Sequence, residues 1–315
     1  MRRQIAAMAA LLALIPGMAM AAPGSHLRAE DNRIAAITYR LATAGAGLCD
    51  ERHPLTGLLF HHLAEYEVRD RPQLISTYGL DRGPGILTVL DDSPAAEAGL
   101  AAGDVLLTVN GRRFPPPLAV SAGRKEWRQA LDAVEALLEE QLKLGPVRLM
   151  VLRDRAPIEL TLGSVPGCPA RVRLARSGQV NAFANGRYVV MTTGLLGFIQ
   201  DEDELAIVIA HELAHNVLRH RDRLEAQNVP RGLLRGIGKN ASRVRATEEE
   251  ADRLGIRLAW AAGYDVSAAI PFWRRFYARY DTVPQLFRTH PGLRAREKLI
   301  SETIAELGAA SAQRR

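Results

Sequence analysis

The chain has 315 residues, of which 47% are hydrophobic and 24% are charged. This composition is typical of a globular protein and excludes a largely disordered or membrane-embedded one, and the length corresponds to about two domains. The formal net charge is +6, but the basic residues are scattered among acidic ones. The sequence therefore predicts no nucleic-acid partner and at most a weak attraction to anionic lipid head groups.

The N-terminus has the pattern of a secretory signal peptide. Arg2 and Arg3 precede an apolar run over residues 5–15, and an Ala-x-Ala pattern ends at Ala21. The alternative is a membrane anchor, but the run is shorter than the ~20 residues that span a bilayer. We expect residues 1–22 to be removed, which predicts a periplasmic or secreted protein without a transmembrane anchor.

One helix, followed by a block of mainly short β-like runs, is predicted next. Ile34, Ile37 and Leu41 recur at helical spacing and predict a helix over residues 31–44. From residue 72 to 165 the pattern changes to short runs separated by Gly, Pro and Asp. The predicted elements are strands at 74–77, 86–90 and 105–109, an Asn110–Gly111 turn, an amphipathic helix at 127–142, and strands at 147–151 and 158–162.

The two cysteines, Cys49 and Cys168, flank this block. Export would carry them into an oxidising compartment, where a disulfide between them would close a loop of about 120 residues. Two buried thiols are the alternative. The disulfide is favoured, because the loop that it closes matches the β-rich block.

Three motifs in the block closely resemble the PDZ domains of bacterial proteases. They are SPAAEAGL at residues 93–100, GDVL at 103–106 and VNG at 109–111. The resemblance implies that an extended peptide binds as an added strand between a strand and the helix, with the amides of a Gly-containing loop holding its terminal carboxylate. Three residues occupy that loop position in the sequence: Tyr78, Gly79 and Leu80. The alternative is a PDZ-like spacer that binds nothing.

Downstream of a short β stretch at residues 181–191, an acidic helix start leads into a pair of histidines. His211 and His215 are four residues apart, so their rings project from one face of a helix and can hold a single ion. Glu212 lies in the same turn, close enough to reach a metal-bound water. The alternative for such a pair is two core histidines that need no further ligand.

A catalytic zinc site needs a third protein ligand, and the best source is the run from Thr247 to Gly255. Glu248 can complete the site, and Asp252, one turn later, can orient a ligand histidine. Ala251 and Gly255 form a small-residue seam that allows two helices to approach closely. The alternative is a solvated helix start with a capping box, which does not explain the two small residues.

These motifs together resemble the HtpX and CAAX prenyl endopeptidase family of zinc metallopeptidases. The matching segments are NAF at 181–183, TGLL at 193–196, EL at 204–205, HELAH at 211–215, ExEADxxG at 248–255, and THP at 289–291 followed by Arg296. The resemblance implies one Zn²⁺ per chain, bound by His211, His215 and Glu248, with Glu212 as the general base. It also implies that His290 lies near the metal, where it stabilises the tetrahedral intermediate or blocks the open coordination position. The chain lacks the spanning helices of the membrane members and resembles the soluble periplasmic branch.

The sequence therefore predicts an α+β protein. A mainly helical zincin-type metallopeptidase domain with a small β-sheet comprises residues 23–71 and 166–315, and a PDZ-like β-rich domain is inserted at 72–165. The predicted activity is zinc-dependent hydrolysis of peptide bonds in unfolded or misassembled envelope proteins, with the PDZ domain recruiting the substrate. The alternative is a peptide-binding adaptor or chaperone with a structural or silent zinc site.

Overall fold

The computed structural model describes residues 25–115, 126–230, 239–280 and 292–313. The predicted signal peptide at 1–22 lies outside the described residues. The helices are α1 (Ser25–Ala44), α2 (Arg71–Tyr78), α3 (Pro94–Glu97), α4 (Glu126–Leu142), α5 (Thr193–Leu196), α6 (Glu202–Val217), α7 (His220–Ala226), α8 (Lys239–Ala261), α9 (Ala269–Tyr280) and α10 (Leu293–Ala312). The strands are β1 (His53–Leu55), β2 (Leu58–His61), β3 (Gly85–Val89), β4 (Val105–Val109), β5 (Arg112–Arg113), β6 (Val147–Arg153), β7 (Ala156–Leu162), β8 (Val165–Gly167), β9 (Val172–Ala175), β10 (Ala182–Ala184) and β11 (Val189–Thr192).

Residues 58–162, which we call the β-rich unit, form an antiparallel sheet covered by a helix. The strand order is β2-β3-β4-β6-β7, with β5 paired to β4. Asn110 and Gly111 both have positive φ, at 47° and 79°, and make the tight turn between β4 and β5, as predicted. The apolar stripe of α4 is buried against the sheet through Leu131, Val134 and Leu138.

Two elements of this unit differ from the sequence expectations. Residues 74–77, predicted as a strand, lie inside α2, because Pro72 occupies the first turn and Gly79 ends the helix with φ 73°. The sheet also begins before residue 72, since Leu58–His61 is its edge strand. A register shift between Leu59 and Phe60 interrupts this strand, so its side chains do not follow a simple alternation.

The remaining described residues, which we call the helical unit, form a second core. Helix α1 buries Ile34, Ile37 and Leu41, as predicted. The small sheet has the order β10-β11-β9, with β10 antiparallel and β9 parallel to β11. Together with the β-rich unit this makes an α+β protein, which confirms the predicted fold class. In the described part of the chain, no helix is both long and apolar enough to cross a membrane.

The chain leaves the helical unit and returns to it at one place. Strands β1 and β8 pair there in antiparallel register, with Pro54 opposite Pro166. Cys49 and Cys168 form a disulfide beside this pair, with their Cα atoms 5.6 Å apart. Of the two arrangements left open by the sequence, the structure has the bridge. It fixes both ends of the segment that contains the β-rich unit.

The acidic face of α4 contacts the small sheet of the helical unit. The polar pairs are Arg171 with Glu135 (2.9 Å) and Glu139 (2.5 Å), Arg173 with Glu135 (2.7 Å), Arg187 with Asp132 (3.0 Å), and Tyr188 with Asp132 and Glu135 (2.6 Å each). Because these side chains are partly buried, the pairs are screened less than surface ion pairs. They hold one wall of the β-rich unit against β9 and β11.

Candidate metal centre

Helix α6 is rigidly held in the middle of the helical unit. The side chain of Asp201 caps its first turn by accepting a hydrogen bond from the Glu204 amide at 2.9 Å. Acidic residues in that turn are favourable at the positive end of the helix dipole. Every residue from Glu204 to Ala214 is buried. The helix therefore presents His211 and His215 from a fixed, water-poor position.

Helix α8 packs closely against α6 through its two small residues. Ala251 is fully buried, and a Cβ added to Gly255 would lie 3.0 Å from both the backbone nitrogen and the Cα of His211. This agrees with the small-residue seam expected from the sequence. The close approach brings Glu248 and Asp252 of α8 next to the histidines of α6.

Gly255→Ala is expected to destabilise the folded chain by about 1–3 kcal/mol, because the added methyl group must push two buried helices apart. Denaturant unfolding measures the loss. The matched control is Gly308→Ala in α10, where an added Cβ meets nothing within 4 Å. This control should gain up to about 1 kcal/mol from helix propensity. Equal stabilisation by both substitutions would contradict the close approach at His211.

Three side chains from the two helices bring their donor atoms together. The Nε2 atoms of His211 and His215 are 3.3 Å apart, and they lie 3.5 Å and 3.6 Å from the carboxylate oxygens of Glu248. Donor atoms about 2.1 Å from a tetrahedral zinc ion lie about 3.4 Å from one another. Two imidazoles and one carboxylate are also a donor set that zinc accepts. The spacing and chemistry of these residues thus fit a zinc ion. Glu212 lies in the same turn of α6 and is 9% exposed.

Asp252 and Arg296 support this cluster from behind. Asp252 Oδ1 lies 2.9 Å from His211 Nδ1, and Arg296 donates a 2.8 Å hydrogen bond from Nε to Asp252 Oδ2. Arg296 Nη2 is also 3.6 Å from Glu248, and its guanidinium lies 4.0 Å from the centre of the Trp273 ring. The structure thus brings Asp252, which was predicted to orient a ligand histidine, and Arg296 of the last sequence motif into contact with the cluster.

The electrostatics of the cluster favour a positive charge at His211. Burial lowers the pKa of His211, but the carboxylates of Asp252 and Glu248 raise it more, to about 10. Burial raises the pKa of Asp252, but Arg296 and His211 lower it more, to below its ordinary value. Carboxylates that stabilise a proton on an imidazole also stabilise a cation in its place.

Two further histidines, His290 and His220, bear on this site. His290 lies outside the described residues, so its position near the metal stays a prediction. His220 was not predicted, yet its Nδ1 is 2.8 Å from Nδ1 of His215. A histidine five residues after His215 is not at the spacing that brings side chains together on one helix, so the sequence did not predict the contact. The contact depends on a change of chain direction at Arg219.

Tyr78, Gly79 and Leu80, which were predicted to form a carboxylate-binding loop, have other positions in the structure. Tyr78 and Gly79 end helix α2, and Leu80 is fully buried in a small core with Leu63 and other apolar residues. The residues that border a groove come from five places in the chain. They are α1 (Ala35, Thr38, Tyr39), the stretch from β1 to β2 (residues 53–60), Leu90 after β3, α4 (Glu135, Leu138, Glu139, Leu142), and the start of β9 with the residues before it (Ala170, Arg171, Val172, Arg173).

Both parts of the chain match known families. Residues 163–237 and 232–304 match the sequence model of Peptidase family M48, and residues 85–135 match that of the PDZ domain. The putative beta-barrel assembly-enhancing protease of Vibrio cholerae is 33% identical over 150 residues, which cover 38% of this chain and 31% of that protein. A protease HtpX homolog of Acidiphilium cryptum is 54% identical over 61 residues, which cover 18% of this chain and 20% of the relative.

A longer match is the mitochondrial metalloendopeptidase OMA1 of Schizosaccharomyces pombe, which is 29% identical over 208 residues, or 58% of this chain and 61% of that protein. The chain spans about a third or less of the length of the beta-barrel assembly-enhancing proteases and the HtpX homolog that it matches. The residues that match Peptidase family M48 include the helices α6 and α8, which carry the metal cluster. Residues 163–304 thus match the metallopeptidase family M48, and residues 85–135 of the same polypeptide match the PDZ domain.

Proposed function

We propose that the chain is a zinc-dependent endopeptidase that hydrolyses peptide bonds in unfolded or misassembled proteins of the cell envelope. The observation that carries the proposal is the close spacing of donor atoms from His211, His215 and Glu248: the two Nε2 atoms are 3.3 Å apart, and they lie 3.5 and 3.6 Å from the two carboxylate oxygens of Glu248. Glu212 in the same helical turn adds the base that a purely structural metal site does not need. The relatives that the chain resembles are named as proteases, which supports the same function.

In this proposal His211, His215 and Glu248 hold one zinc ion. A zinc ion held there would supply a water nucleophile at neutral pH and would polarise the carbonyl group of the substrate. Glu212 accepts the proton of the attacking water and passes it to the leaving amine. Asp252 Oδ1, 2.9 Å from His211 Nδ1, would hold the ring proton on that atom and so keep the lone pair of Nε2 available. Arg296 fixes the orientation of that carboxylate through its own hydrogen bond.

The PDZ domain would recruit the substrate. Strand β2 is an edge of its sheet, and among the described strands it pairs only with β3. An extended peptide can add to such an edge through backbone hydrogen bonds. The apolar side chains of Leu138 and Leu142 border the groove beside it. We therefore assign the end of the bound peptide to the loop before β2, at Thr56 and Gly57, in place of Tyr78, Gly79 and Leu80.

We also propose that the chain acts in the periplasm or outside the cell after residues 1–22 are removed. The sequence pattern of the N-terminus supports this location. The disulfide between Cys49 and Cys168 is further support, because disulfides persist in oxidising compartments and are rare in the bacterial cytosol.

The test is cleavage of unfolded casein by the purified mature chain. We expect cleavage to fall at least about 100-fold when a chelator removes the metal, and to return when one equivalent of Zn²⁺ is added back, because the metal supplies the nucleophile. Magnesium added at the same concentration is the control and should not restore cleavage, since it prefers oxygen ligands. Cleavage that persists in metal-free protein would contradict the proposal.

A further inference from the structure

Behind His215, a second histidine and a carboxylate form a chain of hydrogen bonds. We propose that His220 and Glu250 are positioning residues that fix the tautomer and orientation of the His215 ring, and thereby tighten zinc binding. The inference rests on the proposed zinc site. It concerns residues that the sequence motifs did not assign to any role.

The contacts run in one line from the metal cluster to the surface. His215 Nδ1 lies 2.8 Å from His220 Nδ1, and His220 Nε2 lies 3.0 Å from a carboxylate oxygen of Glu250. Arg223 then donates two hydrogen bonds to the same carboxylate, at 2.5 and 3.1 Å. His220 is 2% exposed, so water does not compete for these contacts.

The donor and the acceptor of each hydrogen bond follow from the carboxylate of Glu250. The carboxylate of Glu250, paired with Arg223, only accepts hydrogen bonds, so His220 donates to it from Nε2. A neutral His220 then has an unprotonated Nδ1, which accepts a hydrogen bond from His215 Nδ1. This leaves the proton of His215 on Nδ1 and the lone pair on Nε2. That lone pair is on the ring atom that faces His211 and Glu248, as a metal ligand requires.

A local change of backbone direction delivers His220 to this place. Helix α6 ends at Val217, and Arg219 adopts the left-handed conformation with φ 53° before α7 begins at His220. In a continuous helix, residues five apart project about 140° away from each other, so the two rings would not meet. The rare conformation of Arg219 therefore serves the contact between His215 and His220.

Helix α8 consequently orients both histidines of the cluster with its own carboxylates. Asp252 contacts His211 directly, and Glu250 contacts His215 through His220. The third donor, Glu248, lies on the same helix. One helix thus supplies a ligand and the partners that set the two other ligands, which explains why the acidic run at residues 248–252 is so dense.

The test is the zinc affinity of the full mature chain, measured by competition with a chromophoric chelator, together with the melting temperature of each metal-free variant. His220→Ala should weaken zinc binding about 10- to 100-fold, as is usual for partners behind a metal ligand. His220→Asn keeps an acceptor at the position of Nδ1 and should lose less than the alanine variant. Glu225→Gln, which removes a surface ion pair with Arg221 on the same helix α7, is the matched control and should bind zinc within twofold of the unchanged chain.

The order of the zinc affinities tests whether His220 is a positioning residue. An affinity order of unchanged chain, then Asn, then Ala, at similar melting temperatures, supports the positioning role. Unchanged affinity in His220→Ala overturns it. Equal losses in both variants, matched by equal falls in metal-free stability, also overturn it, because packing would then be the cause. Zinc binding is read without any substrate, so a chain that shows the predicted order but cleaves no casein would contradict only the proposed function.

Discussion

Glu212→Gln is expected to reduce the cleavage of unfolded casein by about 10²- to 10⁴-fold, the usual contribution of a general base. Glutamine has the same shape as glutamate but cannot accept the proton of the attacking water. Glu212 provides none of the three donor atoms of the metal cluster, so zinc content should remain at that of the unchanged chain. Initial rates of casein cleavage, with zinc measured on the same samples, test both halves of the prediction.

The matched control is Glu202→Gln, at the exposed start of the same helix α6. It removes the same charge without touching the metal cluster, and its cleavage rate should stay within about twofold of the unchanged chain, since it is not a proton acceptor for the reaction. A Glu212→Gln variant that keeps more than about a tenth of the activity would remove Glu212 from the mechanism. Peptide binding at the PDZ domain should be equal in all three proteins.

Arg296→Met is expected to destabilise the metal-free chain by about 3–5 kcal/mol, because it removes one member of a buried charge network. Arg296 is 1% exposed and forms an ion pair with Asp252. Without it, the buried carboxylates of Asp252 and Glu248 would lose their nearest permanent positive charge. Methionine keeps most of the apolar length of the side chain, so lost packing accounts for little of the effect.

Urea unfolding of metal-free protein measures this change without a contribution from zinc binding. Arg294→Met is the matched control, because Arg294 is exposed on the same helix α10. A substitution at such a position is expected to change stability by less than about 0.5 kcal/mol. A loss of under about 1 kcal/mol for Arg296→Met would show that Asp252 does not depend on this guanidinium.

Elements with a long and regular apolar pattern could be predicted from the sequence. The stripe of α4 and the alternation along β6 and β7 gave the right structures because burial on one face dominates their energetics. The close packing of α8 on α6 was also predictable, since Ala251 and Gly255 are small residues at helical spacing. The candidate metal ligands followed from the same spacing.

Other features depend on local geometry that has no periodic signal. Strand β2 contains a register shift, and α2 is too short for its periodicity to be distinguished from that of a strand. Gly79 was expected in a carboxylate-binding loop, but its positive φ ends a helix. The contact between His220 and His215 requires a left-handed Arg219, a conformation that no property of arginine predicts.

The metal content of the purified mature chain tests the central claim most directly. We predict one zinc ion per chain by elemental analysis, and loss of that ion from Glu248→Ala, because two imidazoles alone leave a catalytic zinc site one protein ligand short. A chain that binds no zinc when folded, or a Glu248→Ala variant that retains zinc with unchanged affinity, would contradict the assignment of His211, His215 and Glu248 as the metal centre.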